Sequence, residues 1–414
     1  MERLNRVSSE LCSKTVMADP NNKLDDDVVI VSALRTCLSK AKVGPLKDTT
    51  PEVMLSEVIK GVLAQSKCDP KMIDDVCIGN CLQPGAGAVT ARAAQLMSGI
   101  PYTSSCVAIN RQCSSGIEAC SIIAAKIRSG VIDVGIGGGV ESMTLYDMQA
   151  SLDPSKLAEE LFENEVARNC LIPMGMTSDN VGKKYNLDRK VLEEFAVNSH
   201  KKAAKAQAEG RFVSEIVPIK AKWVGKDGET KIVLADKDTG IRASSTVEKL
   251  ATMKPAFGAD GMTTAAMSSQ VTDGAAAVLL TRRSVANKLG LKIIGKFVSY
   301  AVVGVAPEVM GVGPAYAIPA ALKKANVAVK DVDVWEINEA FATQAWWSIK
   351  ELGIDFEKVN PNGGAIALGH PLGCTGARQV ATLLAELHRT GKKNGVVSMC
   401  IGTGMGAAAF IQAE

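Results

Sequence analysis

Two stretches of this 414-residue chain run through the same succession of elements, and that repetition limits the fold more than any other feature. In the first stretch, a strand at 75–78 is followed by an apolar segment at 106–109, a sharp turn at 110–112 and a helix beginning near Cys113. A strand at 132–136 then ends in Gly137-Gly138-Gly139. In the second, a strand at 332–337 precedes a Gly/Pro turn at 361–373, a small-residue helix to about Leu387, and a strand at 395–401 ending in Gly402-x-Gly404. Cys113 lies 38 positions after Asp75, and His370 lies 37 after Asp333, so both fall at a strand-to-helix turn in matching places. The first helix carries Ile117, Cys120, Ile122, Ile123, Ala125 and Ile127 and few charges. A helix apolar nearly all round belongs between other layers. Strand and helix patterns in alternation point to parallel or mixed sheets with helices on their faces. Two similar α/β halves packed with their buried helices inward would bring the two turns together.

The length calls for two or three domains. Residues 1–26 are polar and read as a flexible lead-in. Residues 27–144, with a buried strand at 28–31 and a helix from Pro51 through Leu63, form the first half, which 264–294 rejoins. Residues 295–414 form the second half. Between them, 145–263 is more polar, with an amphipathic stretch at 188–209 and a Lys/Gly/Asp segment at 220–240, and reads as a loop domain covering a site.

Composition narrows the function. A net charge of +3 spread along the chain argues against nucleic acid as the main partner. Eleven cysteines without the spacing of a small disulfide scaffold favour a reducing compartment. Cys77 and Cys81 form a C-x-x-x-C, but no second pair or histidine lies nearby, so they read as buried strand and loop residues and no metal site is expected. No apolar run reaches the ~20 residues that span a bilayer. Gly-x-Gly-Gly-Gly at 135–139 invites a dinucleotide reading. It fails because no helix follows in the required register.

Three reactive residues stand in glycine-rich motifs: Cys113 in N-R-Q-C-S-S-G, His370 in G-G-A-I-A-L-G-H-P-L-G and Cys400 in S-M-C-I-G-T-G-M-G. Two thiols and an imidazole suit a reaction that needs a sulfur nucleophile and a separate carbon acid–base. Cys113 sits near a helix N-terminus, where free N–H groups favour a thiolate. His370 lies between Gly369, which allows close approach to a ligand, and Pro371, which fixes the backbone. It reads as the base that activates Cys113. The other histidines suit structural places, His200 in a polar helix and His388 near a helix C-terminus. Exposed amides at 402–406 could form an oxyanion hole from the N–H groups of Gly402 and Cys113.

Together with N-E-A-F at 338–341, these motifs resemble the thiolase family, nearest to its peroxisomal 3-ketoacyl-CoA branch, over about 27–410. The resemblance implies a five-layer αβαβα fold with two similar halves, buried central helices and a loop domain. It implies cleavage of 3-ketoacyl-CoA by CoA, as in fatty-acid β-oxidation, with coenzyme A as substrate and no permanently bound cofactor. Cys113 would carry the acyl group as a thioester, and Cys400 would move the proton at the α-carbon of acetyl-CoA. Asn338 would order a water that forms a second oxyanion hole with His370, and Glu339 would orient its neighbours. Arg242 matches a position near the nucleotide of CoA. Met174, Ser269, Ala340 and Phe341 match the pantetheine tunnel. Ala266-Met267 stands where the family usually has Gly-Asn, and Trp346-Trp347 is bulkier than usual; both bear on substrate range. The family also implies a homodimer. Arg3-Leu4, five residues and Glu10-Leu11 resemble a type-2 peroxisomal targeting signal, read by an import receptor, with Glu10 where that signal carries His or Gln.

Other readings stay open. An acetoacetyl-CoA thiolase could act in the condensing direction, although N-R-Q-C-S-S-G resembles the degradative branch more. A decarboxylating ketoacyl synthase would use a second His or Asn in place of Cys400. A non-catalytic acyl-CoA carrier would not need Cys113 and His370. A cysteine hydrolase leaves Cys400 without a role.

Overall fold

The computed structural model describes residues 20–148 and 154–414; the N-terminal signal at 3–11 lies outside them. The strands are β1 (Val28–Arg35), β2 (Ser39–Lys40), β3 (Asp75–Gly79), β4 (Ser105–Ile109), β5 (Val134–Ser142), β6 (Ile219–Val224), β7 (Thr230–Ala235), β8 (Thr272–Arg282), β9 (Gly295–Gly304), β10 (Val334–Ile337), β11 (Asn394–Ile401) and β12 (Met405–Ala413). The longer helices are α1 (Pro51–Ser66), α2 (Ala88–Met97), α3 (Ser115–Arg128), α4 (Met174–Lys184), α5 (Arg189–Ala208), α6 (Gly313–Ala325), α7 (Ala342–Glu351) and α8 (Leu372–Thr390). None is long and apolar enough to cross a membrane.

Hydrogen bonding runs in the order β10-β11-β12-β9-β1-β8-β5-β3-β4. The ladder is mixed, as the alternating pattern predicts: β3 pairs parallel with β4 and β5, and β10 with β11, whereas β8 is antiparallel to both β1 and β5. The two halves meet at a short seam where Val29 pairs with Lys296 and Ile30 with Gly295.

Side-chain alternation along the strands separates the layers. On β8, Ala275, Ala277 and Leu279 pack outward with Met54, Val58 and Ile59 of α1. Ala276, Val278 and Leu280 point the other way, into a core shared with Ile117 and Ile123 of α3, Val380 and Leu384 of α8, and Val397 and Met399 of β11. On β12, Ala407, Ala409 and Ile411 join that shared core. Ala408 and Phe410 face Ile318 and Leu322 of α6 on the far side. The sequence of layers is therefore helix, sheet, the α3/α8 pair, sheet, helix, which is the five-layer arrangement expected.

The central helices touch backbone to backbone. A Cβ at Gly116 would stand 2.7 Å from the Gly373 carbonyl oxygen and 2.9 Å from the Ala377 nitrogen, and a Cβ at Gly376 would run into the Ile117 nitrogen. The glycines of β5 serve the same layer. A Cβ at Gly137 would lie 2.5 Å from the Cys120 Cα, and one at Gly139 would collide with the Gly373 carbonyl. This corrects the reading of Gly137-Gly138-Gly139 as a strand end: the strand runs on to Ser142, and its glycines let α3 and α8 lie close on it.

Between β5 and β8 the chain forms α4, α5 and the β6–β7 hairpin, an element the Lys/Gly/Asp pattern at 220–240 did not reveal. This segment is tied down by a buried charge knot. Arg35 donates to both oxygens of Asp238 at 2.7 and 2.9 Å and to Glu215 at 2.6 Å, and Glu215 also accepts from Thr382 of α8. Buried charges hold only when paired and hydrogen-bonded, and here each carboxylate has at least two donors.

Gly376→Ala adds a methyl group against main chain that cannot move without shifting a helix. Overpacking of this kind costs about 1–3 kcal/mol, against about 1 kcal/mol gained in helix propensity. We expect a lower denaturation midpoint for Gly376→Ala and none for Gly304→Ala, where a Cβ meets nothing within 4 Å. Equal stability of the two variants would show that this crossing does not set the helix spacing.

Candidate active site

Cys113 stands on a strained turn between β4 and α3. Asn110 Oδ1 accepts from the Gln112 N–H and Ser115 Oγ from the Arg111 N–H, each at 2.8 Å. Gln112 is held at φ 48°, a region side chains seldom occupy. Helix α3 begins two residues after the thiol. Burial pushes the Cys113 thiol up to about 11, opposed by the N–H groups of Gly402 and of Cys113 itself, both directed at the sulfur. The two amides expected to form an oxyanion hole thus converge beside Cys113. A third thiol, Cys81, packs in the same cluster and donates to the Gln112 carbonyl at 2.9 Å. With Cys77 inside β3, both cysteines of the C-x-x-x-C are buried.

His370 follows Gly369, whose φ of 111° and whose contact with Thr272 exclude a side chain. The close approach at this glycine is therefore to Thr272. His370 Nδ1 lies 2.6 Å from Thr375 Oγ1, and that hydroxyl donates to the Pro371 carbonyl. With the hydroxyl proton directed to the Pro371 carbonyl, Nδ1–H is assigned as the donor to Thr375 and Nε2 as the acceptor. Nε2 faces Asn338 Nδ2 at 3.4 Å, and Asn338 Oδ1 is buried with no protein partner among the described residues. Burial first, then the Arg378 cation, lowers His370 to about 3, so the ring is neutral at physiological pH.

Cys400 ends β11, fully buried. Its thiol donates to Gln344 Oε1 at 3.2 Å, and burial, then the neighbouring Cys113, push it well above the ordinary thiol range. Met174 packs against the cluster holding Cys113 and against the one holding Cys400. Ala340 and Phe341 belong to the Cys400 cluster, and Ser269 donates to the Ala340 carbonyl at 2.9 Å. Four of the five residues expected to bind substrate therefore gather around the thiols.

Arg242 stands apart, exposed, on an open cavity of about 580 Å³ lined also by His200, Ser244, Lys249 and Ala266. His200 is not a polar surface residue. It is buried, accepts the Arg242 N–H at Nδ1 (3.1 Å), and is lowered to about 4 by burial and then by the Arg242 charge. His388 lies at the end of α8 as expected and bonds the Ile294 carbonyl. Met267 packs beneath α5 with Leu192 and Ala196, and Trp347 stacks on Tyr185 at 4.1 Å. The unusual residues at 267 and 347 thus pack against the cover, away from the thiols.

Two buried carboxylates hold this arrangement. Glu339 accepts from Ser199 of α5, Asn360 and the Ile366 N–H, so it ties the segment between β5 and β8 to the second half of the chain. Glu141 accepts from the N–H groups of Cys81, Leu82 and Gly373 and from Asn80. Burial raises it, and those donors oppose the rise. The sequence reading missed Glu141 and Gln344. For Glu141 the available signal was a lone carboxylate directly after a buried glycine-rich strand.

The family of thiolase N-terminal domains matches residues 28–284, and that of thiolase C-terminal domains matches 291–413. The chain is 56% identical over 387 residues to peroxisomal 3-ketoacyl-CoA thiolase B of Rattus norvegicus, covering 93% of this chain and 91% of the rat protein. It superposes with a TM-score of 0.88 on the dimeric peroxisomal thiolase of Saccharomyces cerevisiae, at 50% identity over 95% of this chain and 99% of the yeast one. Human mitochondrial 3-ketoacyl-CoA thiolase in complex with CoA gives 0.84 at 35% identity, over 94% of this chain and 99% of that one.

With the thiol near 11 and the imidazole near 3, a preformed thiolate–imidazolium pair is strongly disfavoured. At pH 7 the Cys113 thiolate fraction is about one in ten thousand. Alkylation requires the thiolate, so the rate of Cys113 modification by iodoacetamide should climb about tenfold per pH unit from 6 to 10. A rate already flat between pH 6 and 8 would mean that the ion pair is preformed.

Proposed function

The chain belongs to the thiolase family, and on that footing we propose that it cleaves 3-ketoacyl-CoA with CoA, giving acetyl-CoA and a shortened acyl-CoA in fatty-acid β-oxidation. The observation that carries this reading is the placing of two buried thiols in clusters that Met174 joins, with the neutral imidazole of His370 linked to Cys400 through Asn338 and Gln344. The names of the relatives support the substrate class, and the CoA complex of the human relative supports coenzyme A as substrate. The reading calls on no resident metal or redox cofactor.

Cleavage runs as two proton-balanced halves. Nε2 of His370 takes the Cys113 proton, and the sulfur attacks the 3-keto carbon. The bond between C2 and C3 breaks, leaving the acyl group on Cys113 and the electron pair on C2 of acetyl-CoA. Cys400 gives its proton to C2 and becomes a thiolate. Incoming CoA passes its thiol proton to Cys400, and its sulfur attacks the acyl-Cys113 thioester. Cys113 leaves and recovers its proton from His370. The amides of Gly402 and Cys113, directed at the Cys113 sulfur, suit the oxygen of a thioester formed there. Asn338 Oδ1, with no protein partner, suits a water that joins His370 at the enolate oxygen.

We divide the chain into a first half at 27–144 and 264–294, a cover at 145–263 and a second half at 295–414. Arg242 and Lys249 suit the phosphates of CoA at the cavity mouth; Ser269, Met174, Ala340 and Phe341 suit its pantetheine arm. A homodimer accords with the dimeric yeast relative and with β4, an edge strand with Val107 exposed. Edge strands of this kind tend to pair with another chain. Peroxisomal residence accords with the relatives' names and with the signal at Arg3-Leu4 and Glu10-Leu11, read by an import receptor. Sedimentation at the monomer mass, or a fluorescent fusion of residues 1–26 that stays cytosolic, would remove these two assignments respectively.

Cys113→Ala should lower both 3-ketoacyl-CoA cleavage and acyl exchange between acyl-CoA and labelled CoA by at least about 10³-fold. Cys400→Ala should lower cleavage far more than exchange, because without C–C cleavage Cys400 stays a thiol and His370 carries the proton between Cys113 and CoA. A folded wild-type protein that binds acyl-CoA and turns over neither short- nor medium-chain substrates would instead be a carrier.

A further inference from the structure

The Cys400 thiol has a polar side chain, Gln344, hydrogen-bonded to it. Its Sγ–H donates to Gln344 Oε1 at 3.2 Å, and Gln344 Nε2 donates to the Asn338 main-chain oxygen at 3.0 Å. Both side chains are fully buried. The second bond decides the first: with its NH₂ turned to Asn338, the amide offers sulfur an oxygen and no N–H. An oxygen acceptor holds S–H and offers nothing to a thiolate. The amide's place is fixed from behind, because a Cβ at Gly311 would stand 2.6 Å from the Gln344 Cβ. Met310, Ala340, Phe341 and Met174 pack in one apolar cluster with Cys400, and Cys113 is a titratable neighbour of its sulfur.

We propose that Gln344 is a positioning residue for the carbon–carbon step, holding Cys400 as a thiol with its hydrogen at a fixed place until C2 needs it. The proposal rests on the thiolytic reading above. The Cys400 proton passes from sulfur to C2 as the C2–C3 pair is released, and the proton of the incoming CoA thiol restores S–H. Gln344 Oε1 receives that hydrogen at the start and end of each cycle. It links the proton donor for carbon to Asn338, whose side chain faces His370.

The test uses the full-length protein and two assays on each preparation, 3-ketoacyl-CoA cleavage and acyl exchange between acyl-CoA and labelled CoA. Gln344→Met keeps the side-chain volume and removes the acceptor. It should lower kcat for cleavage on the order of 10²-fold, the scale of a displaced acid–base group, with KM and exchange nearly unchanged. Unchanged cleavage, or equal loss of both activities, overturns the proposal. Gln344→Glu supplies a second reading if the Met variant does not fold. A neutral carboxyl can donate to Asn338 and accept from Cys400, so cleavage should persist at low pH and fall as the carboxyl ionises, while exchange does not follow. A cleavage profile with the wild-type shape overturns it. Exchange without cleavage in the wild type removes the thiolytic reading and this proposal together, whereas loss of cleavage confined to the variants leaves the thiolytic reading in place.

Discussion

The site depends on main chain meeting main chain where α3 crosses α8. Side chains at Gly116 or Gly376 would force the helices apart, and one at Gly373 would push α8 off the backbone of Gly79 and Asn80, and with them the turns that present Cys113 and His370. Glu141 fastens the crossing. Its carboxylate binds the loop 80–82 on one side and the first-turn N–H of α8 at Gly373 on the other. A buried carboxylate without donors is very costly. With four donors it becomes a rigid bracket, and it holds Cys81 and Leu82, on the Cys113 side, and the helix that follows His370 at hydrogen-bond distance. Positions set this way vary little, because at Gly116 and Gly376 main chain stands directly against main chain.

The cover is joined to the same frame by buried carboxylates rather than by apolar contact alone. Arg35 at the end of β1 binds Glu215 and Asp238 of the inserted segment, and Glu215 reaches Thr382 of α8. Nearer the chemistry, Glu339 shares its oxygens between Ser199 of α5 and Asn360, next in sequence to Asn338. Movement of α5 would thus be felt one residue from the asparagine that faces His370.

How much of this was legible in sequence follows from the range of each signal. The buried helices, the sharp turn at 110–112 and the three reactive residues announce themselves locally, through periodicity and through glycine and proline at fixed offsets. Glu141 and Gln344 do not. The partner of Glu141 at Gly373 lies 232 positions away, and an ordinary glutamine inside a helix carries no mark of the thiol it will meet. The glycines at 137–139 were misread because glycine marks both a chain that turns and a chain that is closely approached; only the presence of α3 above β5 separates the two. The structural place expected of His200 holds, but its polar sequence neighbours do not show that its helix turns it inward toward Arg242.

The place of β8 bears on how the protein is made. This strand lies between β1 and β5, but about 130 residues of synthesis separate it from the end of β5, and in the main sheet β1 has β8 and β9 as its neighbours among the described residues. On the ribosome, the first strand to emerge therefore has no neighbour in the sheet until residues 272–282 have left the exit tunnel. For most of translation the nascent chain carries an apolar strand in search of its mate, the kind of segment that chaperones shield.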